Sequence, residues 1–251
     1  MSLLVKDLNY SYKKNKQILN NVDFSVEYGK TIAVLGKNGV GKTTLMKCIL
    51  GFNKIEQGHI FIDDKDINSI SIKERSKLIS YVSQDIYFSD ETVFDAIMIG
   101  RRPFVKYSYQ KKDYDIVYQL IKELDLERYM FESVSNLSGG ERQKVKIASA
   151  LATNAKILYL DEVTSNLDLK NQIEIIKLVT KLAHEKNMLV ILNIHDLNLA
   201  YNYLDEFILL KDGSILKKDC MKNLNEEDVF ECFQVDSKII EVDNKKIIMM
   251  E

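Results

Sequence analysis

The residues best suited to phosphate chemistry form the segment GKNGVGKTT at 36–44. It matches the pattern G-x-x-x-x-G-K-[ST], follows the apolar run TIAVL and precedes a predicted helix, which is the context in which this pattern forms a phosphate-binding loop. Its glycines let successive backbone N–H groups face an anion, and the helix dipole behind them favours negative charge. Lys42 is expected to reach the β- and γ-phosphates of a nucleotide, and Thr43 to offer its hydroxyl to Mg²⁺. The alternative is a glycine-rich turn with an incidental Lys-Thr pair.

Two adjacent carboxylates end the apolar run ILYLDE at 157–162. Unpaired charges are costly at the end of a buried strand, so Asp161 and Glu162 indicate a function rather than packing. One carboxylate can support a metal shell while its neighbour faces an attacking water. A solvent-facing acid pair is the alternative, and the preceding phosphate-binding loop makes it the minority interpretation.

Two further polar residues follow apolar runs that are predicted as strands. His195 ends LVILNIHD, and Gln84 ends LISYVSQ. A lone histidine in such a place is more often structural, but ligands collect at the carboxyl edge of parallel sheets. His195 is therefore a candidate to contact a γ-phosphate and hold the attacking water.

A second anion site is predicted in NLSGGERQKVKIASALAT at 136–153. Ser138 caps a helix that starts with two glycines, and the unpaired N–H groups at such a start favour an anion. A Ras-like GTPase or a small kinase has no use for this second site. The presence of two predicted phosphate cradles, the loop at 36–44 and the helix start at Ser138, therefore requires another explanation.

The elements that position these residues alternate along the chain. Strands are predicted at 31–36, 59–63, 78–84, 156–162, 188–196 and 206–213, and helices at Thr43–Cys48, Tyr114–Glu123, Glu141–Ala152 and Lys170–Glu185. This alternation predicts an α/β protein with a P-loop NTPase core and a mainly parallel sheet. Residues 1–30 resemble antiparallel hairpins, and residues 85–155 show a mostly helical pattern that predicts an inserted helical subdomain.

Composition excludes several classes of protein. A net charge of −2 argues against bulk binding to nucleic acid or to an anionic membrane surface. The cysteines, Cys48, Cys220 and Cys232, have no metal-ligand spacing and are expected to be unpaired thiols. The longest apolar runs have the length of a strand, so no membrane-spanning helix is expected.

Taken in order, these segments closely resemble the ATP-binding subunits of ABC transporters over nearly the whole chain. Seven pieces carry the resemblance: Tyr12 as the adenine-stacking aromatic, GKNGVGKT at 36–43 as Walker A, Gln84 as the Q-loop glutamine, LSGGERQ at 137–143 as the signature, ILYLDE at 157–162 as Walker B, SNLD at 165–168 as the D-loop, and His195 as the switch histidine. Most of the pieces are weak alone, but seven in the right order are specific.

The resemblance implies a role for each matching residue. Nucleotide binding is expected at Tyr12, Gly36, Lys37, Asn38, Gly39, Val40, Gly41, Lys42, Thr43 and Thr44. Thr43, Gln84 and Asp161 are expected to hold Mg²⁺, and Glu162 to act as general base, with His195, Lys42 and Gln84 as further catalytic residues. Ser138, Gly139, Gly140 and Glu141 are expected to contact the ATP bound by a second subunit.

The resemblance also explains the two cradles, because subunits of this family meet head to tail about a two-fold axis. Each ATP lies between one P-loop and the opposite signature, and a self-complementary interface requires one chain to carry both. The implied partners are a second ATPase subunit, most simply an identical one, an integral membrane permease and, indirectly, a substrate-binding protein, with no nucleic acid. The implied location is the cytoplasmic face of the cell membrane, as a peripheral protein.

The expected organisation is a single ATPase domain over 1–251. Residues 1–84 and 156–251 are expected to form a β subdomain and a RecA-like core, residues 85–155 a helical subdomain with the signature, and residues 204–251 to include a small C-terminal tail. The chain departs from the family pattern at Glu141, where Gln is more frequent, and at Val163, where proline is usual and would stiffen the turn.

The segment TVFDAIMIGRRPF at 92–104 resembles the importers of iron chelates (siderophores), haem and cobalamin. Val93, Ile97, Met98 and Ile99 are expected either to line a groove for a permease helix or to pack inside the helical subdomain. The alternative function is a soluble ABC-type ATPase of iron–sulfur cluster assembly, without a permease. A DNA-maintenance protein needs a long coiled-coil insertion and a translation factor usually two cassettes, and neither feature is present. A catalytically dead cassette is disfavoured because Lys42, Glu162 and His195 are intact.

Overall fold

A computed structural model describes residues 3–13, 16–84, 88, 90–242 and 245–250. The strands are β1 (Leu3–Lys13), β2 (Lys16–Val26), β3 (Lys30–Leu35), β4 (Gln57–Ile62), β5 (Lys65–Asp66), β6 (Ile79–Val82), β7 (Ile157–Asp161), β8 (Leu189–Asn193), β9 (Glu206–Lys211), β10 (Ser214–Cys220), β11 (Ser237–Val242) and β12 (Lys245–Met250).

The helices are α1 (Lys42–Ile49), α2 (Ile72–Arg75), α3 (Val93–Met98), α4 (Lys111–Glu123), α5 (Gly139–Leu151), α6 (Leu169–Glu185), α7 (Leu197–Tyr203) and α8 (Glu226–Phe233). Short 3₁₀ turns occur at Ile99–Phe104, Glu127–Tyr129, Val134–Asn136 and Met221–Asn223. The chain divides into a first unit, residues 1–71 and 176–251, and a second unit, residues 72–175.

The first unit contains an antiparallel sheet and a mainly parallel one. In the antiparallel sheet β1 lies between β2 and β4, with Val5 opposite Phe24 on one side and Ile60 on the other. In the other sheet β3 is parallel to both β8 and β9, and β10 is antiparallel to β9. All residues of β8 and nearly all of β3 are buried, as expected for strands covered on both faces. This confirms the predicted α/β fold with its antiparallel N-terminal part.

The second unit contains a parallel strand pair and most of the short helices. β6 pairs with β7 from Ile79 opposite Ile157 to Val82 opposite Leu160. Helix α3 packs against α4 and α5. Gly100, in the 3₁₀ turn that follows α3, lies against α5, because a Cβ added there would be 2.0 Å from the carbonyl oxygen of Ser149. A buried ion pair also belongs to this unit, with Arg101 Nε 2.9 Å from Asp113 Oδ1.

The strands that precede Gln84 and His195 end earlier than predicted. β6 ends at Val82, and β8 ends at Asn193, its last residue paired with β3. Each polar residue therefore lies two positions beyond the last residue of its strand. Among the described residues, no helix has both the length and the hydropathy needed to cross a membrane.

Candidate functional site

The phosphate-binding loop connects β3 to α1 in the first unit. Gly41, immediately before α1, has φ 113°, and a Cβ there would lie 3.0 Å from Leu19 Cδ2 and 3.2 Å from the carbonyl oxygen of Ile18. The backbone conformation thus favours glycine, and a side chain there would also be tightly packed. No side chain of the described residues caps α1, and an uncapped helix start of this kind favours an anion.

Lys42 is folded back over the loop that precedes it. Its side chain is 6% exposed, and Nζ donates to the carbonyl oxygens of Gly36 at 2.6 Å and Lys37 at 3.0 Å. The side chain of Lys37 in turn donates to the side-chain oxygen of Gln234, directly after α8. The loop is therefore held by hydrogen bonds from two directions along the chain: from Lys42 at its own end and to Gln234 in the C-terminal part.

Tyr12, the predicted adenine-stacking residue, lies beside the first turn of α1. Its ring is 54% exposed and packs edge-on against Tyr10, with centroids 5.1 Å apart. A hydrogen bond with the Thr44 side chain lowers the pKa of the Tyr12 hydroxyl. Thr44 itself is buried, whereas Thr43, the predicted metal-side residue, is exposed. An accessible aromatic face and an accessible hydroxyl thus lie at the same end of α1.

His195 is also in the first unit and is exposed. It lies between β8 and α7, whose cap is Asp196: the Asp196 side chain accepts from the backbone N–H of Leu199 at 2.9 Å. The histidine is therefore held between the end of a buried strand and a capped helix start.

The second unit contains the acidic pair, with each carboxylate in a different setting. Asp161 ends β7, and its Oδ2 accepts from the hydroxyl of Tyr81 on the neighbouring strand at 3.3 Å. Glu162 follows with φ 50°, a left-handed conformation that is uncommon for a residue other than glycine. Such backbone strain clusters at functional sites, where the surrounding structure holds it in place.

Ser165 holds this strained backbone and connects it to Gln84. The Ser165 hydroxyl donates to the carbonyl oxygen of Glu162 at 2.8 Å and accepts from Gln84 Nε2 at 3.2 Å. The backbone N–H of Ser165 also donates to the Glu162 carbonyl at 3.2 Å. The Gln84 backbone is fixed separately, because its carbonyl oxygen accepts from Lys146 Nζ at 3.2 Å. Sequence reasoning placed Ser165 in the D-loop but gave it no role.

The predicted signature forms the start of α5, and Ser138 caps it. The Ser138 side chain accepts from the backbone N–H of Glu141, and the Glu141 side chain accepts from the backbone N–H of Ser138, which makes a complete capping box. Gly140 packs closely, since a Cβ there would lie 2.4 Å from Asn171 Oδ1. Hydrogen bonds from Ser138 and then from Tyr129 lower the pKa of Glu141 to about 2.

One cleft of the second unit brings several of these residues together. It is lined by the predicted residues Gln84, Gly139 and Glu162 and by residues 163 and 165–167. Arg142 and Gln143, at the end of the predicted signature, also line it, together with three residues outside the predicted motifs: Phe88, Val134 and Lys146. Tyr81 was missed as well. It pairs with Tyr159, two residues before Asp161, and this proximity is visible only once the strand order is known.

The predicted site residues fall into two groups by unit. Tyr12, the loop at 36–44 and His195 belong to the first unit, whereas Gln84, Ser138–Glu141, Asp161 and Glu162 belong to the second. Two alternatives were open for the apolar residues at 92–104, a groove for a permease helix or packing inside the helical subdomain. Val93, Ile97 and Met98 are buried in the packing of α3, as in the second alternative, whereas Ile99 is 38% exposed. The apolar face of α3 therefore serves the core of its own unit.

Comparison with known proteins identifies the family. The family model described as ABC transporter matches residues 19–165, more than half of the chain. An uncharacterized ABC transporter ATP-binding protein of Methanocaldococcus jannaschii is 42% identical over 95% of this chain and 94% of its own length. A phosphonates import ATP-binding protein of Fusobacterium nucleatum is 32% identical, with coverages of 92% and 97%. A probable iron chelatin transport ATP-binding protein of Helicobacter pylori is 35% identical over 86% of each chain.

Solved structures agree with the sequence relatives. A putative metal-chelate type ABC transporter in an inward-facing conformation has a TM-score of 0.85 at 27% identity, covering 100% of this chain and 96% of that one. CbiO1 from Clostridium perfringens, part of the ABC transporter complex CbiONQ, has a TM-score of 0.82 at 28% identity, with coverages of 91% and 92%. The chain therefore belongs to the ABC transporter ATP-binding family and is an ATPase subunit of that family.

Proposed function

We propose that this chain is the ATP-hydrolysing subunit of an ABC importer that takes up a metal chelate of the iron-chelate, haem or cobalamin class. Two copies associate on binding ATP and drive a membrane permease. One observation carries the dimer: the chain has two helix starts suited to phosphate, α1 behind the glycine-rich loop and α5 under the Ser138 cap. A single nucleotide needs only one of them, so the second serves the nucleotide of a facing copy.

In the first unit, the loop from Gly36 to Thr44 binds the phosphates of ATP. Lys42 is buried and its Nζ donates to two carbonyl oxygens of the loop, so its ammonium group is already held at the loop. Tyr12 stacks on the adenine with its accessible ring face, and His195 contacts the γ-phosphate. These groups bind and orient the nucleotide, and positioning of this kind accounts for a large part of the catalysis of phosphoryl transfer by proteins.

In the second unit, Glu162 is the general base that accepts a proton from the attacking water. Its left-handed backbone is held by Ser165, which is also bonded to Gln84, so the position of the base is coupled to the Q-loop glutamine. Ser138, Gly139, Gly140 and Glu141 contact the ATP bound by the opposite copy. Binding ATP thus brings the copies together, and loss of the γ-phosphate weakens the interface between them.

Mg²⁺ accompanies the nucleotide and, when bound, offsets charge on the β- and γ-phosphate oxygens. Each unit offers donors of the kind that this ion prefers: the first an exposed Thr43 hydroxyl, and the second the Gln84 side chain and a carboxylate of Asp161 that is oriented by Tyr81. Within the described residues, no three His, Cys, Asp or Glu side chains form a cluster able to hold a metal alone. A nucleotide-borne ion does not need one, because phosphates and water supply most of its ligands.

The importer assignment rests on the relatives and on the segment at 92–104. The Helicobacter pylori relative is described as an iron chelatin transport protein, and the structural neighbour as a metal-chelate type transporter. The Fusobacterium nucleatum relative, a phosphonates import protein, makes phosphonates the substrate class to test beside chelates. The comparisons give no support to a permease-free role in iron–sulfur cluster assembly. We place the subunit on the cytoplasmic face of the membrane, bound to a permease that receives substrate from a binding protein.

Capture from membranes tests this assignment. The tagged chain is purified from detergent-solubilised membranes of its own cells, and the integral membrane proteins retained with it are identified. The complex is then placed in vesicles, and ATP hydrolysis is measured with a ferric chelate, haem, cobalamin or a phosphonate presented by the matching binding protein. We expect a permease to be retained and one chelate to stimulate hydrolysis. If only soluble assembly factors are retained, the importer assignment is wrong. If only a phosphonate stimulates hydrolysis, the assignment of a metal chelate as substrate is wrong.

A further inference from the structure

The carboxylate of Glu141 accepts four hydrogen bonds, two on each oxygen. Oε2 accepts from the backbone N–H of Ser138 at 2.9 Å and from the Ser138 hydroxyl at 2.7 Å. Oε1 accepts from the Tyr129 hydroxyl and from Arg128 Nη2, the latter at 3.3 Å. The backbone N–H of Glu141 closes the box by donating to Ser138 Oγ at 3.4 Å. Every donor that reaches this carboxylate therefore belongs to the signature or to the 3₁₀ turn Glu127–Tyr129.

These bonds fix the direction of the Ser138 hydroxyl. An ionised carboxylate can only accept, so the Ser138 O–H proton points at Glu141. The same bonds hold the pKa of Glu141 at about 2, so the side chain is charged at neutral pH. A negative charge stabilises the start of α5, but it also lies beside the place where a phosphate would bind.

Tyr129 and Arg128 offset that charge on the side away from Ser138. The Arg128 guanidinium lies over the Tyr129 ring, 4.4 Å from its centroid. This cation–π contact stabilises the two donor side chains next to each other. Both donate to the same oxygen of Glu141, which leaves the other oxygen for the signature serine. The 3₁₀ turn Glu127–Tyr129 therefore supplies both donors to the Glu141 oxygen that faces away from Ser138.

We propose that Tyr129 is a positioning residue of the signature motif: by holding Glu141 it directs the Ser138 hydroxyl, and it sets the ATP concentration at which two copies associate. This rests on the proposed function, in which the signature contacts the nucleotide of the facing copy. Tyr129 itself touches no nucleotide and acts through Glu141.

A double-mutant cycle tests the coupling in the full-length chain. All variants carry Glu162→Gln to stop hydrolysis, and the measured quantity is the ATP concentration that gives half-maximal dimer in light scattering. Tyr129→Phe keeps the ring under Arg128 and removes only the hydroxyl. Glu141→Gln removes the charge and keeps an oxygen that can cap the Ser138 N–H. Tyr107→Phe, a hydroxyl deletion at a side chain 99% exposed, is the matched control.

We expect Tyr129→Phe to raise the half-maximal ATP concentration about threefold to tenfold, the size of one exchanged hydrogen bond. Glu141→Gln should lower it, because it removes a like charge and leaves the Ser138 proton for a phosphate. In the Glu141→Gln background, Tyr129→Phe should change it by less than about twofold, since no carboxylate is left to position. Tyr107→Phe should have no effect.

Binding of a fluorescent ATP analogue to the monomer should be the same in all variants, because the P-loop is untouched. A Tyr129→Phe effect of equal size in both backgrounds, or none in either, would overturn the inference. If Tyr129→Phe does not fold, Arg128→Met removes the second donor on the same oxygen and should act in the same direction. A Glu162→Gln parent that binds ATP but never dimerises would instead overturn the proposed function.

Discussion

The hydroxyl of Ser165 lies 2.8 Å from the carbonyl oxygen of Glu162 and donates to it, while Glu162 has φ 50°. A left-handed glutamate costs of order 1–3 kcal/mol and persists only where its surroundings hold it. Ser165 supplies two donors to this one carbonyl, its hydroxyl and its backbone N–H. The same hydroxyl accepts from Gln84, so one serine connects Gln84 to the backbone of the proposed base.

Replacing Glu162 with Gln should separate binding from hydrolysis. The amide cannot accept the proton of the attacking water, so we expect ATP turnover to fall by roughly 10²–10⁴, the usual contribution of a positioned base. Affinity for ATP should stay within about twofold, and the measurement is steady-state phosphate release beside nucleotide titration. Glu174→Gln, which alters only an exposed pair with Lys170, is the control. An unchanged turnover rate would rule out Glu162 as the base.

Replacing Ser165 with Ala should lower turnover without preventing nucleotide binding. The change removes the hydroxyl that bonds to both Glu162 and Gln84 but keeps the backbone N–H bond to Glu162. We expect a loss of about threefold to thirtyfold in turnover, smaller than that of Glu162→Gln, because the base is displaced rather than removed. Ser108→Ala, at an exposed serine of the same unit, is the matched control. Equal rates for both variants would show that the bond does not position the base.

Replacing Lys42 with Ala should abolish tight nucleotide binding. The ammonium group is the one buried cation of the loop at 36–44 and bonds to two loop carbonyls, so its loss removes a phosphate ligand and loosens the loop. We expect affinity for ATP to fall by at least about 10²-fold in equilibrium titration. Lys54→Ala, at an exposed lysine beyond α1, should bind ATP as the parent does. If Lys42→Ala still binds ATP with the affinity of the parent, the loop at 36–44 is not the nucleotide site.

The sequence predicts the parts of this site that depend on local spacing. The loop before α1 and the cap of α5 follow from glycine and serine positions, and the structure has helices starting at Lys42 and Gly139. The strand before His195 was predicted too long, because an apolar run does not show where pairing with a neighbour ends. β8 stops where β3 no longer faces it.

Contacts between distant segments could not be predicted in the same way. Nothing in the sequence pairs Tyr129 with Glu141 or Arg101 with Asp113, since neither pair has a helical or strand period. The burial of α3 was open for a related reason. Periodicity shows that a helix has an apolar face, but whether its own unit or a partner covers that face depends on tertiary packing.

A bulky side chain at Ser138 should block association without affecting the P-loop. Ser138→Arg replaces the cap of α5 and fills the space in front of the helix start with a long side chain, so the facing nucleotide is excluded. In the Glu162→Gln background, we expect no ATP-dependent dimer in size-exclusion chromatography, and normal binding of ATP to the monomer. Ser108→Arg adds the same side chain at an exposed position and should dimerise. A Ser138→Arg variant that dimerises normally with ATP would refute the shared site.

The buried pair of Arg101 and Asp113 should make a large contribution to the stability of the second unit. Arg101 Nη1 also donates to the carbonyl oxygen of Ala152 at 2.6 Å, and its guanidinium lies 4.1 Å from the Phe104 ring centroid. Arg101→Met leaves Asp113 buried and without its cation, which typically costs about 3–5 kcal/mol of unfolding free energy. Arg102→Met, at the exposed neighbouring arginine, should change stability by less than about 0.5 kcal/mol. Chemical denaturation at neutral pH measures the unfolding free energy of both variants and of the parent.

The difference in stability between the parent and Arg101→Met should depend on pH in a defined direction. Burial alone would raise the pKa of Asp113, but bonds from the Gln110 backbone N–H and from Arg101 outweigh it and hold the pKa below its ordinary value. A carboxylate with a lowered pKa stabilises the folded state fully above its unfolded pKa of about 3.9, and this contribution is lost as the pH falls through the folded pKa. In Arg101→Met the burial effect, the Gln110 bond and the charge of Lys112 remain, but both contributions of Arg101 are lost. Asp113 therefore takes up a proton at a higher pH than in the parent, and the variant's deficit shrinks. Denaturation curves at pH 7, 5, 4 and 3 should therefore show the deficit narrowing towards acid, whereas a deficit that widens there would mean that the pair does not hold Asp113 ionised.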